Sequence, residues 1–261
     1  MKEHLRICSV QFDIAWEQPS ENYKRIEAQL QDAVSPDVIV LPEMFTTGFS
    51  MAPERMAEVY SEDMATINFM HGIARKFGAL VMGSIAVNDG GNYFNRLLCV
   101  YPDRTIIRYD KNHLFTFGNE HCHYTPGQAS IIIEWQGWKI KPLICYDLRF
   151  PELARNRWEG DRAAYDVLVY VANWPAVRSF PWSTLLKARA IENQCYLVGV
   201  NRVGEDGNQI THSGDSVILD ARGGTLSDLQ PGETGLIEAA LTAQTLQDFR
   251  TTFPVLKDVR P

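Results

Sequence analysis

The sequence lacks paired cysteines. Its five (Cys8, Cys99, Cys122, Cys145, Cys195) are odd in number and scattered, with no CxxC spacing. Neither a disulfide framework nor a four-cysteine zinc site is implied, and at least one thiol is free. Free thiols point to a reducing compartment, so a cytoplasmic location is expected. Long apolar runs are missing too. The longest, such as 167–172, are strand-length and fall far short of the ~20 residues of a membrane span. The opening Met1-Lys-Glu-His-Leu-Arg6 has no apolar core of a signal peptide. No basic patch stands out: 25 Lys and Arg against 32 Asp and Glu leave a formal charge of −7. That balance argues against a nucleic-acid partner and gives no pull toward anionic membranes. No Gly/Ser linker, low-complexity stretch or repeat divides the chain, so 1–261 reads as a single domain.

What the chain does contain is an alternation of apolar strands and amphipathic helices. The spacing predicts strands over 7–12, 37–41, 80–87, 167–172 and 196–201, and helices over 21–34, 64–76 and 183–193. Gly78 is placed to stop the second helix. Hairpins are expected around Pro102-Asp103 and Gln136-Gly137, with a further turn over 220–224. Helices between some strands and hairpins between others indicate an α/β fold with one or two mixed sheets, not a purely parallel one.

Three apolar strands end on chemically versatile residues. They are Leu41-Pro-Glu43-Met-Phe45, Tyr109-Asp-Lys111-Asn-His-Leu-Phe115 and Ile144-Cys145-Tyr-Asp-Leu-Arg-Phe150. Cys145 ends an apolar run, and Pro151, suited to a helix's first turn, follows shortly after. Such a strand-to-helix corner exposes a nucleophile and aims backbone N–H groups at whatever it attacks. A lone cysteine is ordinarily a small buried hydrophobe. A carboxylate and an ammonium at comparable strand ends make the catalytic reading the stronger one, with the three converging on one rim of a sheet. Glu43 can take the thiol proton and return one to a leaving amine. Lys111 and the Tyr146 backbone N–H can stabilise an oxyanion. His121-Cys122-His123 looks like a metal set, but adjacent residues do not supply a full tetrahedral shell. No metal and no cofactor is expected.

These segments resemble the nitrilase superfamily of carbon–nitrogen hydrolases. The likeness runs from Gln11-Phe-Asp13 through Tyr170-Val-Ala-Asn-Trp-Pro175 and Ala188-Arg-Ala-Ile-Glu-Asn193 to Asn201-Arg-Val203 and Gly214-Asp-Ser216. The strongest similarity is to the bacterial omega-amidase branch. It implies a four-layer αββα sandwich, a homodimer or higher homo-oligomer, and a Glu43–Lys111–Cys145 triad. It also implies a second glutamate, Glu120, orienting the lysine, and a small 2-oxo acid amide as substrate, such as 2-oxoglutaramate or 2-oxosuccinamate. Trp174 and Tyr146 are candidate pocket walls. Arg149 and Arg178 lie near the motifs as candidate carboxylate partners, Arg149 being read first as a structural residue paired with an acid. A carbamoylase or broader aliphatic amidase, and a non-catalytic interaction protein on the same scaffold, remain the alternatives.

Overall fold

The computed structural model describes residues 1–259 of the 261. Two mixed sheets lie face to face. The first runs Gly235–Thr242, His4–Gln11, Val38–Val40, Leu80–Asp89, Asn92–Val100, Ile106–Asp110, and the short strand Glu58–Val59 joins it beside Leu80–Asp89. The second runs Thr225–Asp228, Val217–Leu219, Tyr196–Val200, Val167–Val171, Trp138–Ile144, Ile133–Trp135. Each is built alike, with three parallel strands at its centre and antiparallel neighbours on both sides. Parallel strands need both faces covered, and their burial shows it: Val38–Val40, Val167–Val171 and Tyr196–Val200 are buried at every position.

The strand period of two sorts the first sheet's side chains into layers. Leu5, Ile7, Val38, Val40, Leu80 and Met82 join the second sheet in one buried cluster. Their alternates Cys8, Val10, Ile39, Leu41 and Val81 face the other way, onto Ile26 of the helix Pro19–Gln29 and Ile67, Met70 and Ile73 of Ala65–Phe77. The helix Ser179–Glu192 covers the outer face of the second sheet. Gly199 admits it, since a Cβ there would stand 2.6 Å from Leu186 Cδ1. The layers are therefore helix, sheet, sheet, helix, the αββα sandwich. Each fully buried Leu or Ile contributes roughly 1.5–3 kcal/mol.

Gly78 ends its helix as expected, in the left-handed conformation with φ 63° and its N–H on Ala74 O. The first helix is shorter than its stripe predicts. It stops at Gln29, and Val34 is exposed. The hairpin Leu80–Asp89/Asn92–Val100 turns through Gly90 and Gly91, both at positive φ, and was not anticipated. Neither was the C-terminal strand Gly235–Thr242, paired with His4–Gln11, nor the helix Ala243–Thr252.

One glycine positions the site. A Cβ on Gly83 would lie 2.9 Å from Leu41 Cβ and from the Phe45 ring, so its absence lets the corner bearing Glu43 rest on the strand Leu80–Asp89. Gly83→Ala is expected to cost about 1–3 kcal/mol through overpacking, read as a lowered urea midpoint at unchanged slope.

Candidate active site

Each of the three chemical residues sits where a strand breaks off. Glu43 follows Val38–Val40, and the next residue, Met44, is left-handed at φ 44°. The Met44 N–H donates to Ser84 Oγ at 3.0 Å and the Phe45 N–H to Ser84 O at 3.1 Å, fixing the corner against the neighbouring strand. Lys111 follows Ile106–Asp110, with its N–H on Asn95 O at 3.0 Å. Cys145 opens a single 3-10 turn, Cys145–Arg149, directly after Trp138–Ile144, and it too is left-handed at φ 44°. A non-glycine residue held there costs of order 1–3 kcal/mol and persists only where its surroundings impose it. Here the buried carboxylate of Asp147 imposes it, accepting from the Ile144 N–H at 3.1 Å, Tyr109 Oη–H at 2.8 Å and the His113 N–H at 3.0 Å. The Cys145 corner is thereby tied to the segment that carries Lys111.

Glu43 and Lys111 come from the first sheet and Cys145 from the second. The group therefore assembles where the ends of two sheets meet, not along one rim of a single sheet. Lys111 Nζ lies 2.8 Å from Glu43 Oε1 and 3.0 Å from Glu120 Oε2, all three side chains being inaccessible to solvent. Asn95 Nδ2 donates to both carboxylates, at 2.8 Å to Glu43 Oε1 and 3.1 Å to Glu120 Oε1. The Asn173 N–H donates to Glu43 Oε2 at 2.7 Å, and the Phe115 N–H to Glu120 Oε2 at 2.6 Å. Glu120 is thus a buried partner of the lysine and not a surface carboxylate. Cys145 Sγ donates to Asn173 O at 3.9 Å, and the charge of Glu43 acts on the thiol.

Two carboxylates around one ammonium set the electrostatics. Burial alone would lower the Lys111 pKa, but Glu120 and Glu43 outweigh it and hold the ammonium charged, above its ordinary value. Burial raises Glu120 despite the lysine. The Cys145 thiol is pushed well above its ordinary range, first by burial and then by the Glu43 charge, with Lys111 opposing. The resting group is a protonated thiol beside an acceptor carboxylate, so attack requires proton transfer in the same step.

Cys145 and Lys111 are among the residues lining a cleft of about 190 Å³. Tyr146, Phe115, Phe117 and Trp174 wall it, with Arg149 and Arg178 on one side and Asp206, Ile210 and His212 also facing it. Tyr146 packs edge-on against Phe115 and Phe150. Trp174 is fixed by Asn201 Oδ1 at its backbone N–H and by Arg178 O at its indole N–H, at 2.8 and 2.7 Å. Arg149 makes no ion pair among the described residues. It stacks instead over Trp174 with 5.0 Å between guanidinium carbon and ring centroid, so its reading as a structural residue paired with an acid is corrected. His121, Cys122 and His123 are exposed, and no group of three His, Cys, Asp or Glu side chains able to hold a metal occurs among the described residues.

Asn95, Asn173 and Asp147 were missed as site residues. Asn95 had a signal, a buried amide among the apolar residues of Asn92–Val100, where an amide needs hydrogen-bond partners.

The buried His212 has its pKa lowered to about 4, by burial first and then by Arg202. The unfolded chain therefore takes up a proton near pH 6.5 that the folded chain refuses until about pH 4, so stability falls with pH across that window by up to roughly 3 kcal/mol. His212→Gln is expected to flatten that limb, measured by urea unfolding at pH 7 and pH 5.

Compared with known proteins, residues 6–251 match the carbon–nitrogen hydrolase family model. The chain belongs to that family and is a hydrolase of carbon–nitrogen bonds. It is 44% identical over 254 residues to omega-amidase YafV of Yersinia enterocolitica, covering 97% of this chain and 96% of that one. It is 35% identical to 2-oxoglutaramate amidase of Bacillus subtilis, covering 97% of each. A crystal structure of a CN-hydrolase superfamily protein from Xanthomonas campestris, with an arsenic adduct in its active site, superposes with a TM-score of 0.95 at 39% identity, covering 99% of this chain and 98% of that one.

Proposed function

We propose that this chain is an omega-amidase, releasing ammonia from the terminal amide of 2-oxo acid amides such as 2-oxoglutaramate through a thioester on Cys145. The observation that carries the reading is a left-handed Cys145 lining the cleft together with Lys111, whose ammonium pairs with Glu43 behind it, in a chain similar over nearly its whole length to omega-amidases. Glu43 takes the thiol proton as sulfur attacks the amide carbon. The oxyanion forms toward Lys111 Nζ and the Tyr146 N–H, each such donor being worth roughly 3–4 kcal/mol. Glu43 then gives its proton to the departing ammonia and deprotonates the water that cleaves the thioester. Glu120 keeps Lys111 in place and charged. Tyr146 and Trp174 form the walls that hold the acyl chain.

The test is ammonia release across 2-oxoglutaramate, 2-oxosuccinamate, glutamine and asparagine. The 2-oxo amides should lead by at least about tenfold in kcat/KM. Parity of glutamine with 2-oxoglutaramate would leave an amidase but remove the omega-amidase assignment.

The same reading makes the protein a cytoplasmic, single-domain homodimer. Val177, Phe180 and Ile191 share the exposed side of the helix Ser179–Glu192 and the turn before it, at 85, 78 and 52% exposure. Large apolar side chains left exposed close together are candidates for burial against a partner. Light scattering at micromolar concentration reads the mass directly, and a monomer would refute the dimer.

A further inference from the structure

Two carboxylates surround Lys111, and their hydrogen bonds tell them apart. A carboxylate oxygen offers two lone pairs. Glu43 Oε1 has both engaged, by Lys111 Nζ and by Asn95 Nδ2, each at 2.8 Å. Glu120 Oε1 receives the same two donors, at 3.2 and 3.1 Å. Glu120 Oε2 receives the Phe115 N–H at 2.6 Å, with Lys111 Nζ 3.0 Å away. Glu43 Oε2 has a single donor among the described residues, the Asn173 N–H at 2.7 Å. Of the four oxygens, this is the one with a lone pair open. The carbonyl of the same Asn173 accepts from Cys145 Sγ, so the open oxygen and the thiol meet at one residue.

The pattern requires the Asn95 amide to present its NH2, not its oxygen, to the carboxylates. Ser84, on the paired strand Leu80–Asp89, decides that orientation. Its Oγ accepts the Met44 N–H at 3.0 Å. A backbone N–H can only donate, so the Ser84 hydroxyl proton goes elsewhere, and Asn95 Oδ1 takes it at 2.9 Å. Both amide protons are then left for Glu43 and Glu120. Ser84, Asn95, Glu43 and Glu120 are all fully buried, so solvent does not compete for these bonds.

We infer that Asn95, oriented by Ser84, is a positioning residue that fills Glu43 Oε1 and reserves Oε2 as the seat of the thiol proton. As sulfur bonds to the amide carbon, the S–H bond breaks, its proton goes to Oε2, and the carbonyl π electrons move onto oxygen. Oε2 later returns that proton to the leaving nitrogen. Asn95 and Lys111 keep their bonds to Oε1 throughout, so no donor has to reorganise during the reaction. Burial favours a proton on Glu120, but its occupied oxygens oppose one, which leaves Glu43 as the base. This deepens the thioester mechanism proposed above and rests on it, though not on the identity of the amide.

The experiment needs no substrate for its main reading. Iodoacetamide alkylation of Cys145 is followed by mass spectrometry from mildly acidic to mildly alkaline pH, with kcat/KM for 2-oxoglutaramate measured alongside. Lys111, Glu120, Cys145 and Tyr124 all act on Glu43, so the acid limb of either profile belongs to the coupled set. Asn95→Leu removes a donor from each carboxylate and opens a second seat on Oε1. Its acid limb should move up by about one pH unit, a roughly tenfold loss on the acidic side that fades as pH rises. Asn95→Ser, too short to reach either carboxylate, should move it the same way. Ser84→Ala should move it less far, and Ser84→Thr, which keeps the hydroxyl, should leave it in place. An unmoved limb in a folded Asn95 variant would overturn the positioning role, and so would an equal loss at every pH, which marks a merely structural one. An unmoved limb in Ser84→Ala would overturn the orientation by Ser84. A shifted alkylation limb in a protein that releases no ammonia from 2-oxoglutaramate would uphold the positioning role and reject the omega-amidase reading.

Discussion

Cys145→Ala should lower ammonia release by at least about 10⁴-fold while the protein keeps its fold. No other described group near Glu43 and Lys111 supplies a nucleophile, so the loss approaches that of a nucleophile knockout in other covalent hydrolases. Stability should change little. Alanine at φ 44° bears the same backbone strain as cysteine, and the Asp147 bonds that impose the corner use the backbone of Ile144 and groups from other segments. Deleting one sulfur costs about 1 kcal/mol. Circular dichroism and a urea midpoint near the parent's, with activity gone, would support the thioester route; near-native ammonia release would end it. Serine is a weaker rescue than its size suggests, because Glu43 would have to deprotonate an alcohol far less acidic than the thiol.

Much of the site was legible in the sequence because backbone rules wrote it there. Pro42 before Glu43 and Pro151 after the Cys145 turn both mark chain breaks, and apolar runs ending on Glu, Lys and Cys named the residues at those breaks. What could not be read was which sheet each break belongs to. Leu80–Asp89 and Asn92–Val100 separate Glu43 from Lys111 in the sequence, and the pairing that brings them together is long-range. Asn173 lies within the Tyr170–Pro175 motif, yet its role follows from its N–H meeting Glu43 Oε2, 130 residues away. Asp147 looked like one more polar residue of a turn, while its three donors come from Ile144, Tyr109 and His113. The C-terminal strand went unread because only Ile237 and Leu241 are buried along Gly235–Thr242, which dilutes the alternation that identifies a strand. The first helix was overextended because Ala33 and Val34 continue its apolar stripe past the point where the chain leaves it.

Lys111→Met should lose activity by roughly 10²–10⁴-fold, and it should also be the least stable of the single site variants. The rate loss follows from removing one oxyanion donor. The stability loss comes from the resting state, where Lys111 is the ammonium paired with the two inaccessible carboxylates Glu43 and Glu120. Removing one partner of a buried ion cluster costs about 3–5 kcal/mol, because the charges left behind are neither solvated nor paired. Burial already raises Glu120 with the lysine in place, and without it a proton should enter the pair. A folded-state carboxyl pKa above the unfolded value of about 4.3 contributes stability below that value and loses it as pH rises through the folded pKa. The Lys111→Met protein should therefore gain stability relative to the parent as pH is lowered from 7 toward 5. Adding Glu120→Gln should restore most of the stability at pH 7 and none of the activity. Glu43→Gln is the matched control: it removes one charge from the pair, keeps Lys111 balanced by Glu120, and should lose turnover by a comparable factor with a far smaller change in urea midpoint. Either variant combined with Cys145→Ala should be no slower than Cys145→Ala alone, since residues acting as a unit do not add. Multiplicative losses would mean that the three do not share one reaction, and a Lys111→Met protein as stable as the parent at pH 7 would mean that the lysine does not carry the charge balance assigned to it.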